Sequence, residues 1–198
     1  MRLRRHYLVI CEGASEFAYV QELGRFLSEN DIPLALSAHN VESGNFKTIR
    51  RYCRKFIKGK KNDALVMLDY DIYFRNENGN KDLYRDNKDK LPLFCFQHFN
   101  FEDLLLMHYP ADLLARWRAH MEPSKHFSTP LSGEIYLKEF RQFVAANEEE
   151  LEFVVPYHKG DMPFVLTKEK LRNLFANNTP DALPKSGFAT FLQKQIPL

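Results

Sequence analysis

The sequence predicts an α/β fold: a mostly parallel central sheet flanked by helices, with a helical C-terminal elaboration. Three observations predict it. Short apolar runs alternate with amphipathic segments as far as Asp71. The runs are β-branched and aromatic, as buried strands are, and Ala64–Leu68 is apolar throughout. Turn residues such as Gly13 and Gly44-Asn45 punctuate them.

The elements follow in order. His6–Cys11, "HYLVIC", reads as the first strand, and Glu12-Gly13-Ala14-Ser15 as a turn. From Ser15 to Glu29, Phe17, Val20, Leu23 and Leu27 recur at helical spacing, with Ser15 as N-cap and Glu16 in the first turn. Leu34–Val41 is a second strand. Phe46–Lys58 is a helix with Phe46, Ile49, Cys53 and Phe56 on one face. Asp63–Leu68 is the third strand. This strand–helix alternation is the signature of βαβ units, and right-handed crossovers bring the ends of strands one and three to one sheet edge. Arg75–Lys90 reads as a polar loop or short helix, Leu91–Phe99 as a fourth strand, and Glu102–Tyr109 as a helix stopped by Pro110. Helices are expected over Ala111–His120, Leu137–Glu150, Thr167–Ala176 and Gly187–Gln195, with an extra strand near Phe153–Tyr157. The boundary this implies is an α/β core over 1–110 and an elaboration over 111–198, packed as one domain.

With 198 residues, 44% of them hydrophobic and 27% charged, the chain has the size and composition of a soluble domain with a real core. No apolar run is long enough to span a bilayer, and the N-terminus lacks the pattern of a signal peptide. Cys11, Cys53 and Cys95 are odd in number and form no C-x-x-C pair, which fits a reducing cytoplasm. Net charge is only +2, so attraction to nucleic acid must come from local clusters. There is no G-x-x-x-x-G-K-[ST] phosphate loop, no C-x5-R phosphatase loop and no G-x-S-x-G elbow. An ATPase partner, where one is used, is a separate chain.

The chemistry concentrates in "ALVMLDYD", Ala64–Asp71. Ligands of open parallel sheets bind at the carboxyl ends of strands, where Glu12, Asp69 and Asp71 fall. Strand alternation puts Asp69 and Asp71 on one face and Tyr70 on the other. Two charges about 4 Å apart repel by roughly 4 kcal/mol at an effective dielectric near 20, so a proton, a basic group or a cation must relieve them. All-oxygen ligands suit Mg²⁺ or Mn²⁺. The alternative is that these are ordinary turn and capping acids. Between Lys47 and Lys61, the residues Lys47, Arg50, Arg51, Arg54, Lys55 and Lys58 form a basic stripe opposite the apolar face, with Tyr52 as a stacking surface. Such a stripe either tracks a phosphate backbone or is a solvated helix face.

Ile10-Cys11-Glu12-Gly13 followed by βα units and Leu68-Asp69-Tyr70-Asp71 resembles the Toprim domain of topoisomerases, primases and OLD-type nucleases. More narrowly, Asn100–Tyr109, "NFEDLLLMHY", and Tyr157-His158-Lys159 resemble motifs of RloB-like proteins found near phage-defence loci. The resemblance spans residues 6–160 and departs at Asp103-Leu104, where that group tends to have an apolar residue and Trp. It implies a Toprim-like fold and cleavage of phosphodiester bonds in RNA, including tRNA, or in DNA, as an effector of anti-phage defence. Glu12 then serves as metal ligand or general acid/base, and Asp69 and Asp71 bind the metal. Lys159 matches a lysine that supports cleavage. Glu16 and Glu102 are supporting ligand candidates, although Glu102 equally suits a helix N-terminus. His108 is a helix-surface or core histidine. A non-catalytic Toprim-like module that binds nucleic acid or a partner is the alternative. The aromatic segment Phe94–Phe101 offers a surface for a homodimer.

Overall fold

The structure, a computed structural model, describes residues 5–57, 61–153, 157–181 and 183–196. Five strands form one sheet in the order β2-β1-β3-β4-β5. β1 (Arg5–Cys11), β2 (Leu34–Asn40), β3 (Ala64–Asp69) and β4 (Leu93–His98) run parallel. The short β5 (Lys185–Ser186) pairs antiparallel with β4. α1 (Ala14–Glu29) and α2 (Phe46–Phe56) make the two crossovers that the βα alternation predicts.

Residue parity along the strands sorts the core into two layers. Val9 and Cys11 of β1, Leu65 and Met67 of β3, and Cys95 of β4 face the larger layer. α1, α5 (Phe101–Leu106), α6 (Ala111–Met121), α7 (Gly133–Ala146), α9 (Lys168–Asn177) and α10 (Gly187–Gln195) complete it. Ile10, Ala64, Val66, Leu68 and Phe94 face the smaller layer, under α2, α3 (Asp71–Phe74) and α4 (Asn80–Arg85). Burial on both sides explains why these strands read as continuous apolar runs rather than alternating ones.

Several local expectations change. The polar stretch after Arg75, expected as a loop or short helix, carries the short helix α4 between two 3-10 turns, at Glu77–Gly79 and Lys88–Lys90. The long helix expected over Leu137–Glu150 is two, α7 and the single turn α8 (Glu148–Leu151), broken at Asn147. Of the strand expected near Phe153–Tyr157, residues 154–156 lie outside the described residues. The C-terminal strand that is described, β5, lies further on. Within Phe94–Phe101, Phe94, Phe99 and Phe101 are buried and Phe96 and His98 are half-buried. Among the described residues, no helix is long and apolar enough to cross a membrane.

Candidate acidic site at the sheet rim

Glu12 follows β1 directly, and its N–H extends the ladder by donating to the Met67 carbonyl at 3.1 Å. Its carboxylate folds toward the neighbouring strand end. There Oε2 accepts the Asp69 N–H at 2.9 Å. The other side of the carboxylate lies against Gly44: a Cβ added at Gly44 would stand 2.3 Å from Glu12 Oε1 and 2.6 Å from Ile72 Cδ1. Gly44 thus does more than end a loop. It leaves the space that the glutamate fills. A Gly44→Ala variant is expected to fold and to turn Glu12 out of the rim. Cation affinity, read by calorimetry, should drop about tenfold or more while the unfolding midpoint moves little; an unchanged affinity would refute this role.

The geometry separates Asp69 from Asp71. β3 ends at Asp69, Tyr70 takes a helical conformation, and Asp71 opens α3. Strand alternation therefore stops before Asp71, and the expected shared face is not formed. Asp69 keeps the parity of Leu65 and Met67 and points to the α1 and α5 layer, where Glu16 and Glu102 lie buried. Asp71 instead stands in the first turn of α3. Its Oδ1 accepts the Ile72 N–H at 2.7 Å, and Oδ2 lies 3.6 Å from Arg75 Nη2. Asp69 Oδ1, by contrast, is buried with no hydrogen-bond partner. A buried carboxylate oxygen left so is costly unless something else is bound to it.

Lys159 comes to the rim from the opposite end of the chain. The Gly160 N–H donates to Ser15 Oγ at 3.1 Å, which ties this loop to the first turn of α1. Gly160 has φ 97°, a conformation that only glycine adopts cheaply. Ser15 is therefore not the helix cap. That position is Gly13, and Ser15 serves as a tether. The Tyr157 hydroxyl reaches Glu102 Oε1 at 3.5 Å. The exposed Lys159 ammonium opposes proton uptake by Glu12, Glu16, Glu102 and Asp71 alike.

Burial is the leading cause of every shift at this rim, and it raises each carboxyl. Glu12 goes to about 7, with the Asp69 N–H pulling down and Asp71 pushing up. Glu16 goes to about 8, pushed further by Glu12 and Glu102. Asp69 is raised well above the usual range by burial and then by Glu16, Glu12, Glu102 and Asp71. Glu102 and Asp71 are raised too. The folded state thus binds these protons more tightly than the unfolded chain. Their stabilising contribution is complete below about pH 4.5 and is lost as pH rises through about 7 for Glu12 and about 8 for Glu16. Metal-free protein is expected to melt at progressively lower temperature from pH 5 to pH 8.5, losing at most about 1.4 kcal/mol per pH unit for each such group. Millimolar Mg²⁺ or Mn²⁺ should reverse the loss at pH 8 and do nothing at pH 5. A flat profile in thermal unfolding would contradict the buried cluster.

The donor set and the unpartnered Asp69 oxygen fit a hard cation. Among the described residues, however, no three His, Cys, Asp or Glu side chains form a group ready to hold a metal ion. His108 is a core residue. It is buried between Tyr19, whose hydroxyl lies 3.1 Å from Nε2, and the Leu104 carbonyl, 3.0 Å from Nδ1, and burial lowers its pKa to about 4.

The basic stripe on α2 is present as drawn for Lys47, Arg51, Arg54 and Lys55, which are exposed, while Arg50 is half-buried and Lys58 lies outside the described residues. Tyr52 does not stand alone. It stacks on His39 and on Phe56, each with centroids 4.3 Å apart, and Lys55 Nζ lies 4.9 Å over the Phe56 ring.

The fold and rim define an α/β protein with a mostly parallel five-stranded sheet covered by helices on both faces, consistent with a Toprim-like fold. No protein-family model and no curated protein matches the chain. Among solved structures, the C-terminal region of the Xanthomonas campestris pv. campestris OLD protein aligns over 88% of this chain and 94% of that chain, at 14% identity and a TM-score of 0.35. A likeness of that degree carries no argument for activity.

Proposed function

We propose that this chain is a nuclease that cleaves phosphodiester bonds in RNA or DNA with the help of Mg²⁺ or Mn²⁺. One observation carries the reading. At the carboxyl end of a parallel sheet Asp69 feels the charges of Glu16, Glu12, Glu102 and Asp71, and its Oδ1 has no protein partner. Asp69 would hold the cation, with Glu12, Glu16, Asp71 and Glu102 as the available further ligands. When bound, such an ion polarises a phosphate oxygen and lowers the pKa of bound water. The chain supplies the rest. The Lys159 ammonium balances negative charge developing on the phosphate. Glu12, with a pKa of about 7, has the value that suits proton exchange near neutral pH. The α2 stripe provides counter-charge for a backbone leading to the rim. The resemblance of Asn100–Tyr109 and Tyr157-His158-Lys159 to motifs of RloB-like proteins extends the proposal to an effector of anti-phage defence, acting with a separate ATPase.

A second reading is a binding module without catalysis, and the absence of a ready three-ligand group among the described residues favours it. Single-stranded and duplex RNA and DNA, incubated with the protein in Mg²⁺, Mn²⁺ or chelator, separate the two. Cleavage is expected only with a cation, and its rate should fall steeply as salt rises. Nucleic acid bound but never cut would establish the module. Cutting that ignores chelator would overturn the metal-dependent reading.

A further inference from the structure

A cavity of about 730 Å³ lies between the end of β4, β5 and the last two helices, and the acid chemistry makes no use of it. Its size is that of a small-molecule site. Tyr70, Phe96 and His98 wall it on the sheet side and Phe175 on the helix side. The Tyr70 and His98 rings lie within 20° of parallel, with centroids 5.9 Å apart. Phe96 stands at 73° to Tyr70, 5.0 Å away. Faces and edges so mixed suit a flat ring system.

Charge narrows the class of occupant. The lining holds Lys185 and no aspartate or glutamate. An anionic or neutral ligand fits, and a cation does not. Asn178 is already committed. Its amide donates to Thr190 Oγ1 and Gln193 Oε1, and its Oδ1 accepts the Ser186 N–H, so it braces the wall. Tyr70 lies between Asp69 and Asp71 in the chain, so a ring stacked on it is adjacent to the acidic rim.

We infer that this cavity is a nucleotide site: it takes one base between Tyr70, Phe96 and Phe175, with the attached phosphate at Lys185. As the place for an unpaired residue of a nucleic-acid substrate, it rests on the nuclease reading; as a site with affinity for a nucleotide, it does not. A base held in a duplex would have to leave its stack to enter. The site therefore selects single strands, loops or ends.

The test is titration of each of the four nucleoside 5′-monophosphates into the metal-free full chain, followed by calorimetry or NMR. At least one is expected to bind saturably. Thr179→Trp, at an exposed position on the cavity wall, should fill the space and weaken binding about tenfold or more without lowering the unfolding midpoint. Lys185→Glu should weaken the monophosphate more than the parent nucleoside. No saturable binding of any of the four at millimolar concentration would overturn the inference. So would unchanged binding in both variants, or equal binding of an apolar probe such as cyclohexanol. Nucleotide binding that Thr179→Trp removes, in a protein that cuts nothing, supports the cavity and removes only the nuclease reading. Cutting of single strands by a protein that binds no monophosphate does the reverse.

Discussion

Asp69→Asn is expected to abolish cleavage and, at the same time, to stabilise the metal-free protein. The two effects share one cause. Asp69 is a carboxylate whose Oδ1 has no donor, surrounded by Glu12, Glu16, Glu102 and Asp71. In the absence of a cation that arrangement is a cost, and a neutral isostere with amide donors relieves it by about 1–3 kcal/mol. With a cation, the same oxygen is the anchor of the site. Losing it should lower the rate by about 10³-fold or more, equivalent to about 4 kcal/mol of transition-state stabilisation. Cutting assays in Mn²⁺ and thermal unfolding in chelator at pH 8 read the pair. The stability gain should shrink as pH falls, since burial and the neighbouring acids favour the protonated form of Asp69. A variant that cuts at the wild-type rate would exclude a metal role for Asp69. A variant that melts earlier would exclude the uncompensated charge.

The second large effect lies one residue beyond Glu102. Asp103→Ala should destabilise the protein by about 3–5 kcal/mol, which lowers the melting temperature by about 10 °C for a domain of this size. Asp103 is buried, and four groups converge on it. Oδ1 accepts the Trp117 indole N–H at 2.7 Å and the Tyr136 hydroxyl at 3.0 Å. Oδ2 accepts the Asn100 N–H at 3.4 Å and faces His126 Nε2 at 3.5 Å. One carboxylate thus joins α5, α6, α7 and the turn that follows α6. Its removal leaves indole and phenol donors buried without acceptors. Asp103→Asn keeps one acceptor oxygen and should lose less. Denaturant unfolding measures both, and a loss below about 1 kcal/mol for Ala would show that the network relaxes without its centre.

These two aspartates mark the limit of what the chain reveals when read in order. The βα alternation was legible because period and punctuation are local properties. The helix over Gly187–Gln195 and the parallel pairing of β1 with β3 follow from them. The rim acids were legible because strand ends of parallel sheets hold ligands. The orientation of Asp71 was not, since whether a strand continues one residue further depends on what Tyr70 packs against: Phe96, His98 and Phe99. Asp103 looked like a departure from a motif. Its acceptor role needs Trp117 and Tyr136, and no periodicity relates positions so far apart. Gly44 read as punctuation because its purpose, room for Glu12, is a contact across the sheet end. Ser15 suited an N-cap on composition, but its hydroxyl is taken by a backbone group 145 residues away.

That last bond sets an order of assembly during synthesis. Every rim carboxylate leaves the ribosome well before Lys159, and the short strand that covers the β4 edge emerges later still, at Lys185–Ser186. A growing chain that has reached Tyr109 already holds the acids, but it lacks Trp117, Tyr136 and Gly160 and so cannot yet lock them in place. Chains broken off early therefore carry the charged residues without the geometry. The rim geometry therefore needs the chain at least as far as Gly160.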